Sequence, residues 1–327
     1  MNNIKGDVLI IGGGPIGIFA AFQACLLGLE PILVESSNEL GGTCKQYREK
    51  NIYDIPGYAK ITGKGLIDNL YKQLQQFDCK VYLNYKVLSY ERQNDFFKVK
   101  VLYKKEYIYL YVKSIVLAIG KGVCQFNKPA IYNLNQYIDN IKFEVLNKKQ
   151  FANKDIMIVG GGDSAVDWVL ELSPIVNKLF LVHRRDKFRA MESSVDNMFD
   201  LNNVVFCLNS QLYKIDSLPG NVCIYNAQDD IYQQICVDYI LCFLGTINNL
   251  ESIKKWDLVF DNDNIVVDPL TQQTKQELVY AIGDVCTYTG KLKLILTGFS
   301  EAAIAIYHLY DKVKKSKLEF KYSTHIM

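Results

Sequence analysis

The chain has 327 residues, 49% of them hydrophobic and 22% charged, with a net charge of +2. That length accommodates two domains and a substantial core, and nothing in the near-neutral balance demands nucleic acid or a membrane as partner. There is no apolar run near the roughly 18 residues of a membrane span, no signal peptide before the first strand, and no C-x-x-C among nine scattered cysteines, so reduced thiols in a cytoplasmic protein are expected, with no metal site.

Val8–Ile11 is a β-branched apolar run that predicts a buried parallel strand. Gly12, Gly14 and Gly17 follow as G-x-G-x-x-G, with Pro15 and Ile16 inside the turn, and a helix is predicted over Ile18–Leu27. The spacing has a mechanical basis. The first glycine permits the tight turn, the second lets a pyrophosphate approach the backbone, and the third lets helix and strand pack closely. A second strand, Pro31–Val34, ends at Glu35, about 20 residues on, where a carboxylate suits ribose hydroxyls. The turn-rich stretch 36–58 comes next, broken by Gly41-Gly42 and Pro56-Gly57.

Helical spacing of Leu66, Leu70, Leu74 and Phe77 predicts a helix over Gly65–Phe77. Strands are predicted over Val81–Leu83, Val87–Arg92, Phe96–Tyr103 and Tyr107–Val112, and a buried strand over Ser114–Gly120. Lys121–Lys154 is irregular. The opening pattern then returns: a strand over Asp155–Val159, a turn Gly160-Gly161-Gly162-Asp163-Ser164-Ala165, a helix over Val166–Leu172 and a strand over Leu179–Val182. Val237–Leu244, Ile265–Val267 and Glu277–Gly283 are strand-like, and a helix is predicted over Phe299–Tyr310. Two nucleotide units in one chain point to electron transfer between two nucleotides.

The two units end differently. The first ends in the acid Glu35, the second in His183-Arg184-Arg185 with Arg189 beyond. A carboxylate repels a 2′-phosphate and a guanidinium fork binds one, so the second unit reads as an NADP(H) site involving Gly160, Gly162, Asp163, Ser164 and Ala165. NADPH needs an acceptor, which leaves a flavin for the first unit. Asp284, after the strand-like Tyr280–Gly283, is suited to accept from a ribityl hydroxyl.

GGGPIG, Glu35, the VLAIG strand, GGGDSAVDW, HRRDKFRA and AIGD resemble, in order and spacing, the thioredoxin-reductase branch of flavoproteins. That branch carries C-A-T-C just before its second nucleotide strand; here Phe143–Asp155 holds no cysteine, which rules out thiol–disulfide exchange with thioredoxin. YREKNIYDIPGY (Tyr47–Tyr58), HRRDKFRAMESSV and GDVCTYTGKLKLILTGFSEA resemble the relatives without the dithiol, the thioredoxin-reductase-like ferredoxin–NADP reductases.

The resemblance implies an α/β fold of two Rossmann-like three-layer domains. An NADP domain, about 117–245, is inserted in a discontinuous FAD domain, about 1–116 plus 246–327, with a C-terminal extension from about 312. It implies a cytoplasmic homodimer with one FAD per subunit, contacted by Glu35, Thr43, Tyr47, Val87, Cys124, Asp284 and Thr324. Tyr47 would stack on one flavin face, and Tyr322, from the C-terminal extension of the partner subunit, would cover the other. Thr43 stands where the family has glutamine, Cys124 where it has phenylalanine, and Tyr322 where it often has histidine.

The implied reaction is 2 reduced ferredoxin + NADP+ + H+ = 2 oxidised ferredoxin + NADPH, with hydride transfer at flavin N5 and two one-electron steps. No acid–base residue is expected, since His183, His308 and His325 are dispersed, and Cys44 reads as a small buried hydrophobe. Lys45, Arg48, Lys50, Lys60 and Lys64, or Lys312, Lys314, Lys315 and Lys317, are candidate docking charges for an acidic ferredoxin. The competing readings are an NADPH-dependent flavin reductase for flavodoxin, quinone or ferric chelate, and a flavin-binding redox sensor.

Overall fold

The computed structural model describes residues 4–249 and 251–316. Tyr322, Thr324, His325 and Lys317 lie outside the described residues, as does the side chain of Cys124. Two compact units are present, one formed by residues up to Val123 together with those from Asn248, the other by Cys124–Ile247.

The first unit begins with β1 (Ile4–Ile11), α1 (Pro15–Leu26) and β2 (Pro31–Glu35). α2 (Gly63–Leu74) is capped by Thr62, whose hydroxyl accepts from the Gly65 amide at 3.0 Å. β3 (Lys80–Leu83), β4 (Lys86–Gln93), β5 (Phe96–Tyr103) and β6 (Glu106–Leu117) follow. The two strands expected over 107–112 and 114–120 are one, because β6 changes partners on one edge without ending. Its first half pairs antiparallel with β5, while its other edge runs parallel to β1 from Leu110 to Leu117, so Lys113 interrupts nothing.

The second unit starts with irregular chain and then repeats the motif: β7 (Asp155–Gly160), α3 (Asp163–Leu172) and β8 (Lys178–Val182). α4 (Glu192–Phe199), β9 (Val204–Cys207), and a meander of β10 (Ser210–Ile215), β11 (Gly220–Asn226) and β12 (Ile231–Val237) come next, then β13 (Tyr239–Phe243). The strand expected over 237–244 is broken at Asp238, whose carboxylate accepts from the Asp155 amide at 3.0 Å and whose own amide donates to the Asp155 carbonyl at 2.7 Å. The sheet is parallel, in the order β13-β7-β8-β9, with Ile141–Lys142 on the β13 edge. α3 buries Val166, Trp168, Val169 and Leu172.

The chain returns to the first unit with β14 (Val279–Ala281) and α5 (Ile295–Lys314). β14 lies parallel to the last turn-ward residues of β6, pairing Val279–Ala281 with Ile115–Leu117. The sheet order is β3-β2-β1-β6-β5-β4. Alternation along β1 sends Val8 and Ile10 into a core beneath α1, α2 and α5, and Leu9 and Ile11 into a second core on the other face.

Asp7, itself buried, ties β1 to two other elements: its carboxylate accepts from Lys113 at 2.8 Å and Lys314 at 2.9 Å. Burial alone would raise its pKa, but the two ammonium groups and the Glu30 amide outweigh it and hold the carboxyl below its ordinary value. A depressed folded-state pKa means stability present at neutral pH and lost as pH falls through that value. Asp7→Asn is therefore expected to cost about 1–2 kcal/mol at pH 7, discounted because both lysines are partly exposed. The gap between variant and parent should close in urea melts run at increasingly acid pH; a gap independent of pH would refute the ion-pair account.

Candidate dinucleotide sites

Both glycine turns sit at the carboxyl ends of parallel strands, where α/β sheets place their ligands. In the first, Gly12 has φ +110°, and a Cβ there would lie 2.4 Å from the Ala118 carbonyl oxygen. A Cβ on Gly17 would lie 1.9 Å from the Gly12 carbonyl oxygen, so helix and turn touch through backbone alone. Gly14 is different: its backbone is extended and its missing Cβ would meet nothing nearer than the Gly42 Cα at 3.7 Å. That is open space at the N-terminus of α1, which has no side-chain cap and no acidic residue in its first turn. An anionic diphosphate fits there.

Glu35 closes the turn from the end of β2. One of its carboxylate oxygens accepts from the Gly13 amide at 2.7 Å and the other from the Ser37 amide at 2.8 Å, which fixes the side chain at the rim of the groove. The segment after β2 folds back over the turn. The Gly41 amide donates to the Gly13 carbonyl at 2.7 Å, Lys45 donates to Ser37 Oγ at 2.7 Å, and Arg48 is paired with Glu39. Arg48 Nε is buried with no hydrogen-bond partner among the described residues, a donor available to a ligand acceptor. Thr43 is exposed on this segment and Val87 is half-buried on β4, beside the Tyr85 amide that donates to the Glu35 carbonyl.

Tyr47 ends the same segment. Its hydroxyl lies 3.5 Å from Cys44 Sγ. Burial, reinforced by Cys44, raises the phenol's pKa, and burial pushes the Cys44 thiol up to about 11. Both stay protonated at neutral pH, so neither is a thiolate or phenolate base. Asp284 lies on the turn Gly283–Val285 that follows β14, and the Ile282 amide donates to the Leu117 carbonyl at 2.9 Å.

The second turn repeats this construction in the other unit. A Cβ on Gly160 would lie 2.5 Å from the Phe243 carbonyl oxygen, whereas one on Gly162, again in extended backbone, would meet only the Arg189 carbonyl oxygen at 3.8 Å. Asp163 and Ser164 are exposed at the start of α3 and Ala165 is buried beneath it. The Arg189 amide donates to the Gly161 carbonyl at 2.7 Å, so the arginine segment is folded onto the glycine turn. Arg184, Arg185 and Arg189 are all exposed, and among the described residues none is ion-paired to a carboxylate. His183 is buried, unlike them. Its ring packs against Gly161, stacks on Phe188 with centroids 5.2 Å apart, and its Nε2 is 3.0 Å from the Lys187 carbonyl. Burial, then the neighbouring Arg185, Arg184 and Arg189 charges, lower its pKa and keep it neutral.

The pyridine nucleotide-disulphide oxidoreductase family model matches residues 6–303. The ferredoxin–NADP reductase of Rickettsia bellii (strain OSU 85-389) is 41% identical over 327 residues, covering 97% of this chain and 97% of that protein. The one from Ehrlichia canis (strain Jake) is 39% identical over 333 residues, covering 99% and 98%. The chain belongs to the ferredoxin–NADP reductases of this family. In solved structures it is similar to Lactococcus lactis thioredoxin reductase (TM-score 0.79, 25% identity, 95% of this chain and 100% of that one). The T. acidophilum thioredoxin reductase shares the fold at the same TM-score and 19% identity, covering 94% and 98%.

Sequence reading did not single out the charge clamp Glu39–Arg48, the Phe188 stack or Glu301, which accepts from the Gly283 amide at 2.7 Å. Opposite charges flanking Gly41-Gly42 were a usable signal for the first. Glu301 falls inside the stretch GDVCTYTGKLKLILTGFSEA with its partners Gly283, Cys286, Tyr288 and Lys291, but no spacing within that stretch signals which of them it contacts. The structure also uses up some expected docking charges: Arg48, Lys64 and Lys314 are ion-paired to Glu39, Asp68 and Asp7, while Lys60 is exposed.

Proposed function

We propose that the chain exchanges electrons between NADPH and ferredoxin, with FAD held by the first unit and NADP(H) by the second. The observation that carries this reading is the contrast between the two turns. Glu35 closes the first, and three exposed arginines with no carboxylate partner among the described residues flank the second. The names of the relatives support ferredoxin as the acceptor; a homodimer is what the sequence resemblance implies.

FAD, when bound, supplies the passage between a two-electron nicotinamide and a one-electron carrier. The chain's residues bind and orient. Gly12, Gly14, Pro15, Ile16 and Gly17 cradle the diphosphate, Glu35 accepts from ribose, and Asp284 accepts from the ribityl chain. Tyr47, kept neutral by its burial, acts as an aromatic plate against the ring system and not as an acid. Arg184, Arg185 and Arg189 hold a 2′-phosphate, and His183 supports Gly161 from below. Thr43, Val87 and Cys124 are assigned as further FAD contacts, with Tyr322 and Thr324 from the extension.

Purified protein should be yellow and should bleach anaerobically on adding NADPH. Re-oxidation should then be faster with ferredoxin than with flavodoxin or a quinone. Turnover with ferredoxin should fall steeply with ionic strength while NADPH–dye turnover barely changes. Faster re-oxidation by a quinone would make the chain a flavin reductase, and a colourless protein inert to NADPH would end the proposal.

A further inference from the structure

Gly283 and Asp284 are held by a buried charge cluster that the proposed reaction leaves unexplained. Glu301, on α5, is 2% exposed, and its cation partner Lys291 is 5% exposed. One carboxylate oxygen accepts from the Gly283 amide at 2.7 Å. The other accepts from the Tyr288 hydroxyl at 2.8 Å and from Lys291. Cys286 Sγ donates to the Gly283 carbonyl at 3.3 Å and lies 3.6 Å from the same carboxylate. Gly283 has φ +75°, and its position is wedged: a Cβ on Gly298 of α5 would meet Ile16 at 2.6 Å and the Gly283 Cα at 3.6 Å.

Burying two charges costs more desolvation than their mutual attraction returns unless every remaining lone pair is used, and apolar pairs of the same size are often at least as stable. Stability alone therefore does not account for Glu301. One of its oxygens is used on the turn Gly283–Val285, which carries Asp284, and the other on Tyr288 and Lys291 of the segment that follows it. Asp284, the next residue, is partly exposed, and no hydrogen bond to another described residue holds its carboxylate. The direction in which it points is set by the Gly283 peptide.

We propose that Glu301, charge-matched by Lys291, is an FAD-positioning residue: by accepting from the Gly283 amide it fixes the turn and so aims Asp284 at the cofactor. This rests on the reading that FAD occupies the first unit. The alternative, a merely structural ion pair, makes a different prediction, because it does not act through Asp284.

Two double variants separate the two. Glu301→Met with Lys291→Met removes both charges and the acceptor while keeping apolar volume. Glu301→Gln with Lys291→Met removes both charges but keeps a carbonyl oxygen for the Gly283 amide. FAD affinity is read on the full chain after cofactor release, by flavin fluorescence quenching, beside thermal melts of the cofactor-free protein. The Met/Met variant should melt like the parent and bind FAD at least tenfold more weakly. The Gln/Met variant should stay within about threefold of the parent, the carbonyl restoring what the lost charge did not supply. In an Asp284→Ala background the Met/Met loss should shrink to less than about threefold, as expected of residues acting in series. Equal binding by the two variants, or losses that add fully to that of Asp284→Ala, would overturn the assignment. A parent chain that takes up no FAD would instead bring down the cofactor reading itself.

Discussion

Replacing Arg184 and Arg185 together by alanine is expected to raise KM for NADPH by about 30-fold and to leave turnover with NADH nearly unchanged. Each charge-assisted bond to a phosphate contributes roughly 1.5–3 kcal/mol where it is shielded. These guanidinium groups are exposed, which reduces the contribution to about 1 kcal/mol each. Two give about 2 kcal/mol, and ~1.4 kcal/mol is tenfold. NADH lacks the 2′-phosphate and makes none of these contacts. The readout is the ratio of kcat/KM for the two nucleotides. Equal losses with both would show that the arginines serve the fold, or another face of the nucleotide.

The middle glycines give the second large effect. Gly14→Ala should raise the Kd for FAD by about 100-fold or more, since a methyl group placed in a close-packed contact costs on the order of 3 kcal/mol. Yet the cofactor-free protein should unfold within about 0.5 kcal/mol of the parent, because no described residue lies nearer than 3.7 Å and the backbone is extended. Gly17→Ala is the contrasting case. Its Cβ would stand 1.9 Å from a backbone oxygen, so both stability and FAD binding should fall. Gly162→Ala should repeat the Gly14 result in the second unit, with NADPH and NADH weakened alike, in contrast to the arginine variants. FAD binding by Gly14→Ala at parental affinity would mean that the turn does not cradle the diphosphate.

These glycines were legible from sequence because their spacing answers two demands, backbone closeness at Gly12, Gly17 and Gly160 and room for a ligand at Gly14 and Gly162. Strand positions such as Val8–Ile11 and Ile156–Val159 were legible for a related reason: burial on both faces demands continuous apolar runs. The stretch from Val204 to Val237 was not read as strands. Its meander has one face largely in water, so QLYKI and IYQQICV carry polar residues through strand centres. β6 was divided at Lys113 because the sequence does not announce a change of partner along one strand. At the sites, the residues touching a turn locally were found, while those reaching it from afar were not. Glu301 sits among alanines and aromatics with helical spacing, and its contact with Gly283 spans a loop with no periodic trace.

The position of β14 in the chain bears on how the protein is made. Val279–Ala281 docks beside Ile115–Leu117, yet the whole of the second unit is encoded between them. A ribosome therefore releases a contiguous second unit able to fold at once, while β6 waits with its Ile115–Leu117 edge unpaired. Only when the residues through α5 emerge does that edge gain its neighbour and Gly283-Asp284 reach the glycine turn. Closure over so long a sequence separation is slow, and an open apolar strand edge invites association meanwhile. The first unit begins before the second and is completed after it, so its glycine turn gains Gly283-Asp284 only once the whole second unit has emerged.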